Sequence, residues 1–138
     1  MKIKLATKEN ENEVVFLFQE NLDKNNPAIY SQEFFCPFGL KSAIQRKQVV
    51  VVLNEKNEVV AGLRFYPRKR DGMVSLYQFV IEDKYRGKNL LRKMLEKTGY
   101  KKFEVLCPIE IDFNEYYKKT DWKLEKKNNN FNYWVLDV

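Results

Sequence analysis

The chain contains no histidine among its 138 residues. This absence excludes a histidine general base, a Ser-His or Cys-His nucleophile pair and a histidine-ligated metal. A catalyst built on this sequence must therefore use carboxylates, tyrosine, lysine, water or backbone amides.

Cysteine is almost as scarce, because only Cys36 and Cys107 occur, each in an apolar stretch and neither in a CxxC pair. Such cysteines supply neither a disulfide framework nor a metal site, so we expect buried free thiols and no metal. No apolar run approaches the ~18 residues of a membrane span, and the first residues lack a secretory hydrophobic region. These features predict a cytoplasmic protein with no membrane partner.

Basic residues outnumber acidic ones, which gives a net charge of +6 and a pI near 9.2. An excess of positive charge favours anionic partners such as nucleic acid, a lipid surface or a phosphorylated cofactor, but it does not choose among them. A simple solvated surface is an equally good interpretation of the charge. The length and the 44% hydrophobic content predict a single globular domain over residues 1–138.

Hydrophobic periodicity predicts a mixed α/β fold with four helices and seven strands. The first helix follows Thr7 and ends near Asn25–Pro27, a short second helix contains Leu40 and Ile44, and two more cover Leu90–Gly99 and Ile111–Lys119. The predicted strands are Lys2–Ala6, Val49–Asn54, Val59–Tyr66, Met73–Ile81, Lys102–Cys107, Trp122–Glu125 and Phe131–Asp137.

The order of these elements predicts a mostly antiparallel sheet with one parallel pair. The Asp71-Gly72 dipeptide is a strong hairpin signal between the third and fourth strands. The helix from Leu90 then crosses from strand four to strand five, which makes those two strands parallel neighbours.

The most informative stretch runs from strand four into the helix that begins at Leu90. Between them lies a short basic turn that contains Arg86, Gly87 and Lys88. Because the first amides of a helix have no intrahelical acceptor and carry the positive end of its dipole, such a turn can hold a phosphate. The alternative is that Arg86 and Lys88 are solvated charges and Gly87 only relieves turn strain.

Two motifs, together with the strand order, resemble the GNAT superfamily of acyl-CoA-dependent N-acyltransferases over almost the whole chain. The stretch Tyr85–Leu91 is similar to that family's pyrophosphate loop, with Arg86 in the leading position. The stretch Tyr116–Trp122 is similar to its aromatic-tyrosine run near the carboxyl terminus. The resemblance implies a GNAT-like sheet that splays between strands four and five and is flanked by helices.

The resemblance also implies acetyl-CoA or another acyl-CoA as co-substrate and an amine, either a small molecule or a peptide, as acceptor. Tyr117 matches the family tyrosine that protonates the departing thiolate. The backbone of strand four orients the thioester, and the loop holds the pyrophosphate. The implied binding residues are Phe79, Val80, Ile81, Arg86, Gly87, Lys88, Asn89, Leu90 and Leu91.

The chain departs from the family pattern at Asn89, Leu91 and Asp121, which stand where the family has glycines. Asparagine and aspartate tolerate left-handed backbone angles better than other non-glycine residues, so Asn89 and Asp121 can preserve the chain path. A leucine at position 91 either turns into the core or crowds the pyrophosphate.

Several alternatives stay open at this point. A GNAT-like module without catalysis would share the same scaffold, and a nucleic-acid-binding domain, favoured by charge and the basic turn Arg68–Arg70, is the weaker alternative. The aromatic segment Tyr30–Phe38 is either a site of substrate contacts or core filling. No general base is assigned, since Tyr77, Gln78 and Glu82 on or beside strand four are better explained as structural residues. Asn114 could bond the cofactor, but it does not match a family position.

Overall fold

The structure, a computed structural model, describes residues 1–21 and 36–138. In chain order the helices are α1 (Glu11–Asn21), α2 (Pro37–Gln45), α3 (Leu90–Lys97) and α4 (Phe113–Lys119). The strands are β1 (Lys2–Leu5), β2 (Val49–Leu53), β3 (Val59–Pro67), β4 (Val74–Ile81), β5 (Lys102–Pro108), β6 (Lys123–Lys127) and β7 (Phe131–Asp137). Short 3-10 turns precede α1 and follow β4, at Lys8–Asn10 and Asp83–Tyr85.

The strands form a seven-stranded sheet in the order β1-β2-β3-β4-β5-β7-β6. β1 and β2 pair antiparallel, as do β2 and β3, β5 and β7, and β6 and β7. β4 and β5 pair parallel at the start of both strands, where Val74 faces Phe103 and Ser75 faces Glu104. The predicted fold class is thus confirmed, including the crossover helix between strands four and five.

Residue contacts divide the chain into two compact units. The first comprises Met1–Phe65 with Tyr77–Gly99, and the second comprises Tyr66–Leu76 with Tyr100–Val138. β3 and β4 each contribute residues to both units. The assignment of residues 1–138 to one domain stays a prediction.

The core of the first unit is built around β2, all five residues of which are buried. Successive side chains of a strand point to opposite faces, so a strand buried throughout needs cover on both. On one face, Val49, Val51 and Leu53 pack with apolar side chains of α1 and α2. α3 contacts β1 and β2 and buries four apolar side chains, Leu90, Leu91, Met94 and Leu95.

The second unit centres on β5 and β7, which pair along their whole lengths. Phe103 and Cys107 of β5 and Trp134 of β7 are buried. β6 is exposed at every position and carries Lys123, Lys126 and Lys127. Lysines on an edge strand hinder pairing with further chains, which is a sufficient reason for this composition.

The start of the first helix is as predicted, directly after Thr7 and a short 3-10 turn. The Thr7 N–H donates to Oδ1 of Asn10 at 2.9 Å, which organises the turn before α1. The predicted end of that helix near Asn25–Pro27 and most of the aromatic segment, residues 30–35, lie outside the described residues. Within residues 1–21 and 36–138, no helix is long and apolar enough to cross a membrane. The cytoplasmic location stays a prediction.

Gly62 on β3 provides a direct test of the packing between the sheet and α1. A Cβ atom at this position would lie 3.1 Å from Cε2 and 3.4 Å from Cζ of Phe18. We expect Gly62→Ala to lower the free energy of unfolding in urea by about 1–3 kcal/mol, the usual cost of overpacking. In a Phe18→Leu background the same alanine should cost clearly less. Equal costs in the two backgrounds would show that the ring is not the cause.

Candidate functional site

The turn between β4 and α3 is built from backbone hydrogen bonds and left-handed residues. The N–H of Tyr85 donates to the carbonyl of Glu82 at 2.9 Å, and the N–H of Arg86 to that of Asp83 at 3.2 Å. Gly87 then has a φ of 79° and Asn89 a φ of 59°. These conformations reverse the chain within a few residues and allow α3 to begin at Leu90.

The amides of this turn are available for a ligand. Gly87, Lys88 and Asn89 are exposed, and their N–H groups have no hydrogen-bond partner among the described residues. The space around Gly87 is open, because an added Cβ there would meet nothing within 4 Å. The first hydrogen bond of α3 runs from Lys93 N–H to the carbonyl of Asn89 at 3.2 Å, so the positive end of the helix lies at this turn.

Cationic side chains surround the turn. The Nζ atoms of Lys84 and Lys88 lie 5.3 and 5.5 Å from the centre of the Tyr85 ring. The Tyr85 hydroxyl in turn accepts a hydrogen bond from Nδ2 of Asn54 at 3.3 Å. This ring therefore fixes the base of the turn to the β2–β3 connection and holds two ammonium groups near it.

Arg86 is held in place by its own neighbours. Its Nη1 lies 2.9 Å from Oδ1 of Asp83, and its Nε donates to the carbonyl of Ile81 at 3.1 Å. The side chain is 62% exposed. The guanidinium is thus oriented at the surface beside the turn, where it can contact an anion without first leaving a buried site.

The Leu91 side chain turns into the core, which is one of the two orientations that the sequence left open. The residue is 2% exposed and belongs to the buried apolar stripe of α3. A side chain covered by protein atoms on this scale is turned into the core. It does not project into the open space beside Gly87.

The strand segment Phe79–Ile81 leads directly into this turn. Val80 is 5% exposed and packs in the core cluster shared with α1 and α2, while Phe79 and Ile81 are half-buried. Since the Val80 side chain is used in the core, only its backbone can serve a ligand. The predicted binding residues 79–81 and 86–91 are therefore consecutive parts of one strand, turn and helix in the first unit.

Tyr117, on α4 in the second unit, is 2% exposed and lies among aromatic rings. Its ring centre is 5.2 Å from that of Trp122, 5.6 Å from that of Tyr116 and 5.9 Å from that of Trp134. Burial, with smaller contributions from Cys107 and Tyr116, raises the pKa of Tyr117 far above its ordinary value. The phenol is therefore neutral at physiological pH and can act as a hydrogen-bond donor.

The fold is similar to that of solved N-acetyltransferases. The PaiA N-acetyltransferase of Thermoplasma acidophilum, in complex with coenzyme A, matches with a TM-score of 0.76 at 14% identity over 99% of this chain and 98% of its own. A GNAT-family acetyltransferase from Listeria monocytogenes matches with 0.77 at 12% identity over 99% and 94%. An aminoglycoside 6'-N-acetyltransferase complexed with coenzyme A matches with 0.73 at 12% identity over 99% and 97%. No protein-family profile and no curated protein matches the sequence.

The chain has the GNAT fold. Asn89 stands where the family pattern has a glycine. It adopts the left-handed conformation, at φ 59° and ψ 32°, that a glycine would also allow. The Leu91 side chain packs in the core below α3 and does not enter the exposed part of the turn. The two cysteines are free: Cys107 is buried as expected, and Cys36 is only half-buried. Burial and the nearby Glu110 raise the pKa of Cys107 to about 11, so its thiol is neutral.

Asn114 on α4 is used entirely for structure within this GNAT fold. Its Nδ2 donates to the carbonyls of Pro108 at 2.8 Å and Ile111 at 2.9 Å. Its Oδ1 accepts from Nδ2 of Asn132 and from Nε1 of Trp134, both at 3.0 Å. The side chain therefore ties α4 to β7 and has no remaining group to offer a cofactor.

A buried carboxylate on β5 of the GNAT fold was missed by the sequence analysis. Glu104 is 6% exposed and pairs with Nη1 of Arg68 at 2.9 Å. It also accepts hydrogen bonds from the hydroxyls of Ser75, at 3.0 Å, and Tyr133. Burial and the hydrogen bond to Glu104 raise the pKa of Tyr133. The one available signal was a glutamate inside the apolar run of strand five.

A cavity of about 400 Å³ lies elsewhere in the first unit of the GNAT fold. It is lined by residues of α1, the β2–β3 turn and the end of β4, including Phe16, Glu58 and Glu82. None of the predicted binding residues lines it. The cavity therefore borders the start of the turn, at Glu82 and Lys84, without reaching the residues predicted to bind the pyrophosphate.

The left-handed conformation of Asn89 generates a stability prediction. Asn89→Gly should leave the free energy of unfolding unchanged or slightly higher, because the Asn89 side chain makes no capping hydrogen bond. Asn89→Val should lower it by about 1–2 kcal/mol, since a β-branched side chain resists this conformation. Lys88→Val, at an exposed neighbour without positive φ, is the matched control and should change little. Chemical denaturation measures all three, and equal losses for the two valines would contradict the assignment.

Proposed function

We propose that this protein is a CoA-dependent N-acyltransferase that moves an acetyl or other short acyl group from CoA to an amine. The observation that carries the proposal is the turn before α3, where the exposed amides of Gly87, Lys88 and Asn89 have no partner among the described residues. Unpaired amides, a helix amino end and basic side chains together match the chemistry of a diphosphate. Two of the similar structures, quoted above, contain coenzyme A.

The pyrophosphate of CoA fits the residues present. In this proposal Arg86, Gly87, Lys88 and Asn89 contact it directly, while Leu90 and Leu91 contribute the first amides of α3 and pack the helix onto the sheet. The backbone of Phe79, Val80 and Ile81 pairs with the pantetheine amides, and one N–H polarises the thioester carbonyl. Acyl-CoA supplies an acyl group activated as a thioester.

In the reaction, the neutral amine nitrogen forms a bond to the carbonyl carbon and the carbon–sulfur bond breaks. The amine also gives up a proton. No side chain is assigned to accept this proton, and we assign that role to water. Tyr117 donates a hydrogen bond to the departing thiolate. Because burial raises the pKa of Tyr117, its phenol is a weak acid, and it stabilises the thiolate more readily than it surrenders its proton outright.

A second candidate function is a GNAT-like module that binds partners without catalysis. The observation in its favour is the 2% exposure of Tyr117 within its aromatic cluster, which a purely structural role would also explain. Nucleic-acid binding rests on the net charge of +6 and on the basic turn Arg68–Arg70. Arg68 is used in ion pairs with Asp71 and Glu104, so that turn offers less charge than its sequence indicates.

Ligand-induced stabilisation distinguishes these functions. A ligand at ~100 times its Kd adds about 2.7 kcal/mol of stability, so CoA and acetyl-CoA should raise the Tm clearly, whereas short DNA and RNA should not. The double variant Arg86→Ala/Lys88→Ala should weaken CoA binding, and the loss should shrink as salt is added. The charge-matched control is Lys93→Ala/Lys97→Ala, which removes two exposed cations farther along α3. No response to CoA in the parent protein would favour the non-catalytic module.

Tyr117→Phe tests the chemical step. Loss of one hydrogen bond to the departing thiolate should lower kcat by about tenfold to a hundredfold and leave the Kd for CoA nearly unchanged. Turnover is measured as thiol release from acetyl-CoA with an amine acceptor. Tyr116→Phe, at the half-buried neighbouring tyrosine, is the control and should keep full activity. Equal turnover in Tyr117→Phe and the parent would remove Tyr117 from the mechanism.

A further inference from the structure

The cavity between α1, the β2–β3 connection and the end of β4 is large enough for a small organic ligand. Its volume is about 400 Å³, and small-molecule sites in proteins commonly have volumes of roughly 300–1,000 Å³. All of its lining residues belong to the first unit. None of them is among the residues predicted to bind CoA. The cavity is therefore a second candidate binding site on the same unit.

Three carboxylates and one ammonium group line this cavity. Glu13 comes from α1, Glu58 from the β2–β3 connection and Glu82 from the end of β4, and the cation is Lys84. The acids outnumber the base here although the chain as a whole has a net charge of +6. In the part of the chain that the structure describes, none of the three glutamates forms an ion pair. The cavity therefore has an excess of negative charge, which favours a cationic ligand.

Two of these carboxylates are oriented by hydrogen bonds to other residues of the cavity wall. Oε2 of Glu13 accepts from the N–H of Val59 at 3.2 Å, and Oε1 of Glu58 accepts from Nδ2 of Asn54 at 3.0 Å. Val59 and Asn54 themselves line the cavity. Because a carboxylate can accept several hydrogen bonds at once, both groups keep acceptor capacity for a ligand.

The separation of the acids and the apolar part of the wall favour an extended cation. The three carboxylates are not close enough together to hold one metal ion. Leu17 and Val60 contribute buried apolar side chains to the wall, and Phe16, also in the wall, is 65% exposed. An exposed aromatic ring can pack against an alkyl chain and attract an ammonium group to its face. These features match a molecule in which an apolar chain joins two ammonium groups.

We propose that this cavity binds an organic dication of that kind, such as a linear diamine. The ammonium groups donate to the carboxylates of Glu13, Glu58 and Glu82, and the chain between them packs against Phe16. The site borders the start of the turn proposed to bind CoA but shares none of its residues. The inference stands whether or not the protein transfers acyl groups.

Titration of the 15N-labelled protein without CoA tests the site by NMR. We expect at least one of 1,3-diaminopropane, 1,5-diaminopentane and 1,8-diaminooctane, added at constant ionic strength, to shift the backbone amide signals of Asn54, Val59 and Glu82 in a saturable manner. The monoamine of the same chain length should bind about threefold to tenfold more weakly, because it lacks the second ammonium group. Mg²⁺ should give no saturable shift of these signals.

Two variants separate the charge from the apolar contact. Glu82→Gln and Phe16→Ala should each weaken binding of the responding diamine about threefold to tenfold, and added salt should reduce the loss mainly in Glu82→Gln. Glu55→Gln is the charge control, because Glu55 is exposed in the same β2–β3 connection but does not line the cavity. Leu106→Ala is the apolar control, since Leu106 is 63% exposed on β5. Both controls should bind the diamine as the parent does.

Kinetics with acetyl-CoA then identify the role of the bound diamine. If it is the acyl acceptor, Glu82→Gln raises its KM by the same factor as its Kd. If it is a separate ligand, Glu82→Gln leaves the KM unchanged while the Kd still rises. Both results support the site, because both require the diamine to bind in the cavity.

The outcomes separate this inference from the proposed function. Saturable binding of a diamine with no transfer to any amine would support the site and contradict the transferase. Transfer from acetyl-CoA with no diamine shifting the three amides would leave the transferase standing and overturn the site. Equal affinity for the monoamine, an equal loss in Glu55→Gln, or shifts spread over acidic residues across the whole surface would also overturn it.

Discussion

The burial of β2 on both faces is the constraint on which the first unit depends. Its five residues, four valines and a leucine, leave no side of the strand exposed. The sheet must therefore carry α1 and α2 on one face and α3 on the other. Because α3 has to reach its own face from the end of β4, the chain turns sharply through Gly87 and Asn89. The turn proposed to bind CoA is thus a consequence of how the core is covered.

This constraint also explains why the unusual residues of the turn are compatible with the fold. A helix of eight residues contacts the sheet through few side chains, and Leu91 enlarges the apolar stripe of α3. A glycine or alanine at position 91 would bring the backbone closer to its surroundings but bury less apolar surface. Asn89 needs no such compensation, since its backbone already has the left-handed conformation. In this chain the turn thus combines an asparagine in the left-handed conformation with a leucine buried in the core.

The periodic elements and the turn chemistry were predictable from the sequence, whereas the polar networks were not. Strand alternation, the Asp71-Gly72 hairpin and the helix from Leu90 depend on neighbours within a few positions, and the structure contains each of them. The partners of Glu104 and Asn114 come from elements far apart in the chain, and nothing in a local pattern specifies them. Gln78 is a similar case: its burial follows from strand position, but its contact with Arg64 depends on the pairing of the sheet.

The side chain of Asn54 links two segments that the sequence gives no reason to associate. Its Oδ1 accepts from the N–H groups of Lys56 and Glu58, each at 2.9 Å, while its Nδ2 donates to Tyr85. The β2–β3 connection and the start of the α3 turn therefore share one hydrogen-bonding hub. We therefore expect the two segments to open together, so that a ligand bound at either one slows amide hydrogen exchange in the other.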